Sequence, residues 1–268
     1  MTISAQPALH LYESGDPAAA AILFLHGSPL SGRMWQPQLE TLSEFHCLAP
    51  DLPGHGMSAK TGAVSMDALV QALAELIRER CASGKAHVVG HSYGGVVAQA
   101  LISGAPEVVK SALLSGTSAR LSPFMSGVFK VYLKLNEPIL RLLRPEQLGK
   151  LLALQFGIPA QFIQSLGEDM KRMEPARMAR VLTQSYLDIH TPRDTSIPVL
   201  VAAGSRETPF ARGMARSLVR KIPASKGVLI PGLGHVWNLQ DPQLFAEVVR
   251  TWTINRKIPG SLLPHQIT

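Results

Sequence analysis

The stretch Gly90-His91-Ser92-Tyr93-Gly94 constrains this chain more than any other. It follows an apolar run, His87–Val89, and leads into a segment of small residues, Gly95 to Ser103, that reads as a helix. A serine at the apex of a strand–turn–helix junction must take up a strained backbone conformation. Only glycine leaves room on either side, and the helix dipole behind the turn favours a developing negative charge. Other apolar runs extend the pattern: Ala20–Leu25, Phe45–Ala49, Ala112–Leu114, Val199–Ala202 and Gly227–Ile230 read as buried strands. Between them lie helical segments such as 67–81, where Leu69, Val70, Leu73, Leu76 and Ile77 share one face behind a capping Ser65. The alternation predicts an α/β fold: a mostly parallel twisted sheet with helices on both faces.

The alternation stops between Leu121 and His190, where Leu, Met, Lys and Arg recur at helical spacing and Pro138, Pro145, Pro159 and Pro175 cut the segment into short helices. The organisation expected is therefore a sheet core of residues 1–120 and 191–268 with a helical insertion at 121–190. The tail after Ile254, with Pro259, Gly260 and Pro264, is expected to be loosely held. A chain of 268 residues can bury a core without disulfides or a structural metal, so Cys47 and Cys81 are expected as reduced, buried thiols. The apolar run Ala18–Leu25 is too short to span a bilayer, and Met1–Ala8 lacks a basic patch followed by an apolar stretch, which points to a cytoplasmic protein. The net charge is +7, and Arg206, Arg212, Arg216, Arg220, Lys221 and Lys226 crowd one stretch. No aromatic or glycine pattern is interleaved there, so it reads as a solvated helix face, with no nucleic-acid partner expected.

A serine hydroxyl is a weak nucleophile until a base takes its proton. His235 is the candidate base, because Pro231-Gly232-Leu233-Gly234-His235 directly follows the last expected strand and its loop ends beside the other strand ends. His26, His55 and His91 sit in turns with structural uses of their own. The third member should orient the imidazole. In the chain order nucleophile, acid, histidine, Glu207 stands just past Gly204 at the end of its strand; Asp194 precedes that strand, and Ser115-Gly116-Thr117-Ser118 holds no carboxylate. Glu207 is thus reached by elimination, with pairing to Arg206 or Arg212 as its alternative use. Oxyanion donors are expected at the backbone N–H of Tyr93 and, from His26-Gly27-Ser28-Pro29, of Ser28. Arg33-Met34 stands where a phosphate loop needs Lys-Ser/Thr, and neither HExxH nor a Cys/His cluster occurs, so neither cofactor nor metal is expected.

His26-Gly27-Ser28-Pro29, Asp51 to Ser58, Gly90 to Gly94 and the histidine loop come in an order that resembles the α/β-hydrolase superfamily over nearly the whole chain. The resemblance implies a sheet of about eight strands, a cap over the active site supplied by 121–190, and a structural role for Asp51–Ser58. A serine nucleophile sets the chain apart from the epoxide hydrolases and haloalkane dehalogenases of the superfamily, which use aspartate. Carbon–carbon bond hydrolases usually carry Gly-Pro-Gly near the first oxyanion loop, which Ser28-Pro29-Leu30 lacks; His26 to Trp35 looks like the same run in small esterases and cofactor-free perhydrolases. Glu207 stands where aspartate is usual and must fold back to meet His235.

The function expected is hydrolysis of a small-molecule carboxylic ester through an acyl-enzyme, with Phe124, Met125, Phe129, Leu133, Phe156, Phe162 and Met173 offering an apolar acyl pocket. Two other readings use the same residues. One is a carbon–carbon or thioester hydrolase, working on an acyl group held by an acidic carrier protein docked at Lys130, Lys134, Arg141 and Arg144. The other is a slow-turnover ligand receptor on the hydrolase fold.

Overall fold

Along the second apolar run, Leu23 and Leu25 turn to one face while Ile22 and Phe24 turn to the other, as the two-residue period of a strand demands. The computed structural model describes residues 9–61, 64–128, 130–131, 144–173 and 189–267. Its strands are β1 (Leu11–Ser14), β2 (Ala21–Leu25), β3 (His46–Pro50), β4 (Ala86–His91), β5 (Val109–Ser115), β6 (Val199–Gly204), β7 (Ser225–Ile230) and β8 (Gln266–Ile267). They form one eight-stranded sheet in the order β1-β3-β2-β4-β5-β6-β7-β8. The six inner strands run parallel, whereas β1 joins β3 and β8 joins β7 antiparallel. Burial on both faces is what lets the inner strands be almost continuously apolar.

The helices are α1 (Gln36–Thr41), α2 (Met66–Arg80), α3 (Tyr93–Gly104), α4 (Pro145–Phe156), α5 (Ile163–Arg172), α6 (Pro209–Lys221), α7 (Trp237–Gln240) and α8 (Pro242–Asn255). On one face, Leu73 and Ile77 of α2 and Val97 and Leu101 of α3 pack against Leu23, Leu25 and Val88. On the other, Trp35, Phe245 and Trp252 pack with Ile22, Phe24 and Leu113. Ser65 caps α2, its Oγ accepting the Ala68 N–H at 3.1 Å. Between β5 and β6 the described residues contain 123–128, which are helical, and the pair α4 and α5. Arg33 holds α5 to the core through Glu168 at 2.8 Å and the buried Asp169 at 3.3 Å.

Two features depart from the sequence reading. β1 and β8 are strands that it did not find; Leu11–Ser14 is short and mixed in polarity, and β8 has two residues that are strand only through pairing with Gly227 and Val228. The C-terminal tail is not loose, because Ile258, Leu262 and Ile267 are buried against the sheet. Cys47 and Cys81 are free and buried, and burial pushes their thiols up to about 12 and about 11, which leaves both neutral.

The parallel strands aim their C-terminal ends at one rim. Strand order reverses between β2 and β4, so the loops leaving these two strands flank a crevice at that rim. Several histidines are locked into the core beneath it. His26 Nε2 accepts the Leu52 N–H at 2.9 Å, and the His26 and His55 rings meet edge to face at 5.0 Å. Burial holds His26 down to about 4, and His55 and His87 down to about 3, because loss of water disfavours the cation. Once the pH falls below about 6.5, the unfolded chain takes up protons that the fold refuses. Stability is therefore full above that pH and declines toward pH 4. At pH 5 each of the three imidazoles costs about 2 kcal/mol. Asp169, which burial raises to about 6, acts in the opposite sense between about 6 and 3.8 and offsets part of this loss. The urea midpoint should thus be markedly lower at pH 5 than at pH 7.5; an equal or higher midpoint at pH 5 contradicts neutral burial of these rings.

Candidate active site

Ser92 stands between β4 and α3 with φ 52° and ψ −114°, a positive φ at a residue with a side chain. Such a conformation costs about 1–3 kcal/mol and persists only where the surroundings dictate it. Here the Ser92 N–H donates to the Ser115 carbonyl of β5 at 2.8 Å, and its own carbonyl accepts from Gly95 at 3.0 Å. The flanking glycines are sterically required. A Cβ on Gly90 would stand 2.5 Å from the Gly94 carbonyl oxygen, and one on Gly94 would stand 2.1 Å from that of Leu25.

The loop after β2 lies directly against this turn, so that a Cβ on Gly27 would meet the Ser92 Cβ at 3.1 Å. Ser28 follows, with its Oγ buried and unpartnered. Tyr93 is the first residue of α3, and its buried ring stacks on His55 at 5.9 Å.

His235, in the loop after β7, lies over the ends of β4 and β5. Its ring is 4.8 Å from that of His91 and 5.1 Å from that of Phe156, and a Cβ on Gly116 would come within 2.9 Å of His235 Nδ1. His91, fully enclosed, is held well below its ordinary pKa by burial first and by the neighbouring His235 second. Glu207 folds back from the end of β6: Oε1 accepts the Gly204 N–H at 3.0 Å, and Oε2 lies 2.8 Å from His235 Nδ1. Its carboxylate is buried, while the imidazole keeps a partly open edge. Asp194 precedes β6 and lines a different groove, with His190 and Arg193.

Ser28, Ser92, Glu207 and His235 all line one cavity of about 780 Å³. Its apolar wall differs from the one read from sequence. Among the residues singled out there, Phe156 lines it; Phe124 is 78% exposed, Met173 is packed in the core, and Met125 and Phe162 are half-buried away from the cavity. Phe129 and Leu133 lie outside the described residues, as do Lys134 and Arg141, whereas Lys130 and Arg144 are exposed. The wall is built by Leu148, Leu152 and Leu154 of α4 with Ile158, Phe210 and Leu233. Leu148 and Leu152 are four residues apart on one helical face, a spacing that could have marked them. Gln240 also reaches the cavity, and nothing in its local sequence distinguishes it. Among the described residues, no group of three or more His, Cys, Asp or Glu could hold a metal ion, and no helix is long and apolar enough to cross a membrane.

Comparison with known proteins follows the same lines. Residues 22–248 match the family model described as "Alpha/beta hydrolase family". A Gibberella zeae protein described as an AB hydrolase superfamily protein is 31% identical over 261 residues, covering 92% of this chain and 85% of its own length. A pimeloyl-[acyl-carrier protein] methyl ester esterase of Nitrosomonas europaea is 27% identical, covering 88% and 96%. Among solved structures, a thermophilic esterase from Thermogutta terrifontis superposes with a TM-score of 0.73 at 24% identity, covering 91% of this chain and 92% of that one; that likeness is one of fold.

Proposed function

The chain belongs to the alpha/beta hydrolase family, and within it we propose a carboxylic ester hydrolase that works through Ser92, His235 and Glu207. What carries the reading is the 2.8 Å pairing of His235 Nδ1 with a buried Glu207 carboxylate, in the same cavity as a serine held at φ 52°. The pairing orients the ring so that Nε2 is the nitrogen left to act on Ser92 Oγ. Ser92 Oγ attacks the acyl carbon as His235 takes its proton, and the N–H groups of Tyr93 and Ser28 receive the charge that gathers on the carbonyl oxygen. Collapse breaks the acyl–oxygen bond, and His235 hands the proton to the departing alcohol. A water then attacks the acyl-serine by the same route, releasing the acid and restoring Ser92.

Residues 121–190 act as a cap in this reading, with α4 supplying the wall against which an acyl chain lies. The apolar character of Leu148, Leu152 and Phe156 favours acyl groups without charge near the ester. The test is a panel of p-nitrophenyl esters of graded acyl length, run beside a serine-directed fluorophosphonate. Steady-state turnover on part of the panel, with one label per chain on Ser92, is expected. A single slow turnover with a retained acyl group would instead mark a receptor, and neither turnover nor label would end the hydrolase reading.

A further inference from the structure

We propose that Gln240 is a positioning residue whose side-chain amide ties the His235 loop to the end of α4, so that the base and the cavity wall are held as one unit; its kinetic consequences rest on the ester-hydrolase reading. Oε1 accepts the Gly234 N–H at 2.7 Å, and Nε2 donates to the carbonyls of Gly157 at 3.0 Å and Phe156 at 3.2 Å. One planar group therefore joins the residue before His235 to the residue whose ring lies on His235.

Both backbones make room for the amide. Gly157, at φ 64°, would place a Cβ 2.7 Å from Gln240 Nε2, and Gly234 would place one 3.3 Å away. Each also needs an outside partner. The last carbonyls of a helix have no intrahelical donor; at the end of α4 those of Ala153 and Leu154 take the N–H groups of Ile158 and Gly157, and that of Phe156 takes Nε2. A loop reading Gly232-Leu233-Gly234 has much backbone freedom to lose on ordering, and it is tied by the Gly232 N–H to Ser205 Oγ at 2.8 Å, by the Arg206 N–H to the Leu233 carbonyl at 2.9 Å and by the Gly234 N–H to Gln240.

The amide itself is anchored. Gln240 ends α7, whose Trp237 is fully buried and donates from Nε1 to Ser115 Oγ at 2.8 Å, and the next residue, Asp241, caps α8 by accepting the Leu244 N–H at 3.0 Å. Ser115 is the residue whose carbonyl holds the Ser92 N–H. The clamp is thus referenced to the serine turn through β5. A base displaced by about 1 Å can cost up to about 10²-fold in rate, which is the error such a clamp suppresses.

Two variants separate its arms. Gln240→Ala removes all three bonds. Gln240→Glu keeps an acceptor for Gly234 but turns an oxygen toward the two carbonyls of α4. Both should lower kcat for p-nitrophenyl acetate about 10-fold per site, with sites counted by fluorophosphonate titration to completion and KM nearly unchanged. Hydrogen exchange should rise together at residues 151–158 and 232–236 in both variants. Unchanged kcat per site in Gln240→Ala overturns the positioning role, and unchanged exchange at 151–158 in Gln240→Glu overturns the coupling to α4. Should the wild-type chain neither hydrolyse esters nor take up the label, the ester reading fails, and the exchange measurement still decides whether the clamp exists.

Discussion

Ser92→Ala should lower kcat for ester hydrolysis by roughly 10⁴-fold or more while leaving the melting temperature nearly unchanged. The size follows from what is lost. The other hydroxyl of the turn, that of Tyr93, belongs to a buried ring stacked on His55 and is pushed by burial up to about 12, so in the proposed mechanism loss of Oγ leaves no covalent step for His235 to assist. What would remain is orientation and the pull of the oxyanion donors on a water molecule. Stability should survive because the turn is held by main-chain bonds that alanine keeps: the N–H of residue 92 to the Ser115 carbonyl and the carbonyl of residue 92 to Gly95. Steady-state kinetics with a thermal melt on the same preparation checks both halves. A folded Ser92→Ala protein with turnover within about threefold of wild type would remove Ser92 from the chemistry.

Glu207→Gln is the second large effect, expected to reduce kcat/KM by roughly 10³-fold or more. In the proposed mechanism the carboxylate does two things at once. Its Oε1 satisfies the Gly204 N–H, and its Oε2 faces His235 Nδ1, where it selects the tautomer with the proton on Nδ1 and stabilises the imidazolium formed during attack. Glutamine keeps the shape but not the charge. If its amide nitrogen turns to the ring, it donates to Nδ1, moves the proton to Nε2 and blocks the base. Glu207→Asp should be intermediate, since a side chain shorter by one methylene cannot easily span both partners. Asp194→Asn is the internal control and should leave kcat/KM unchanged, because Asp194 sits before β6 in another groove. A Glu207→Gln enzyme as active as wild type would show that the Glu207–His235 pairing serves structure alone.

Some of this was legible because it is local. The Ser92 turn is dictated by sterics among neighbours in sequence, and the buried strands announce themselves through apolar runs whose period is set by the backbone. Glu207 could be reached by asking which carboxylate follows a strand rather than precedes one. The cavity wall was not legible in the same way. Residue type alone does not mark it, since Phe124 is exposed and Met173 is in the core: the face a helix buries depends on what it packs against. The C-terminal tail illustrates the same limit: its prolines suggested a loose end, yet Ile258, Leu262 and Ile267 have a sheet edge to cover.

The amino-acid sequence by itself determined the six inner strands, their order along the chain, and which strand ends would carry a serine, a carboxylate and an imidazole, because torsional preference and hydrophobic period act over a few residues. Only the tertiary structure decided that Glu207 reaches His235, that β8 exists at all, and that Gln240 spans from the His235 loop to α4. Each of those depends on distance between segments remote in the chain, and that distance is fixed by how helices and strands pack, not by the residues on either side.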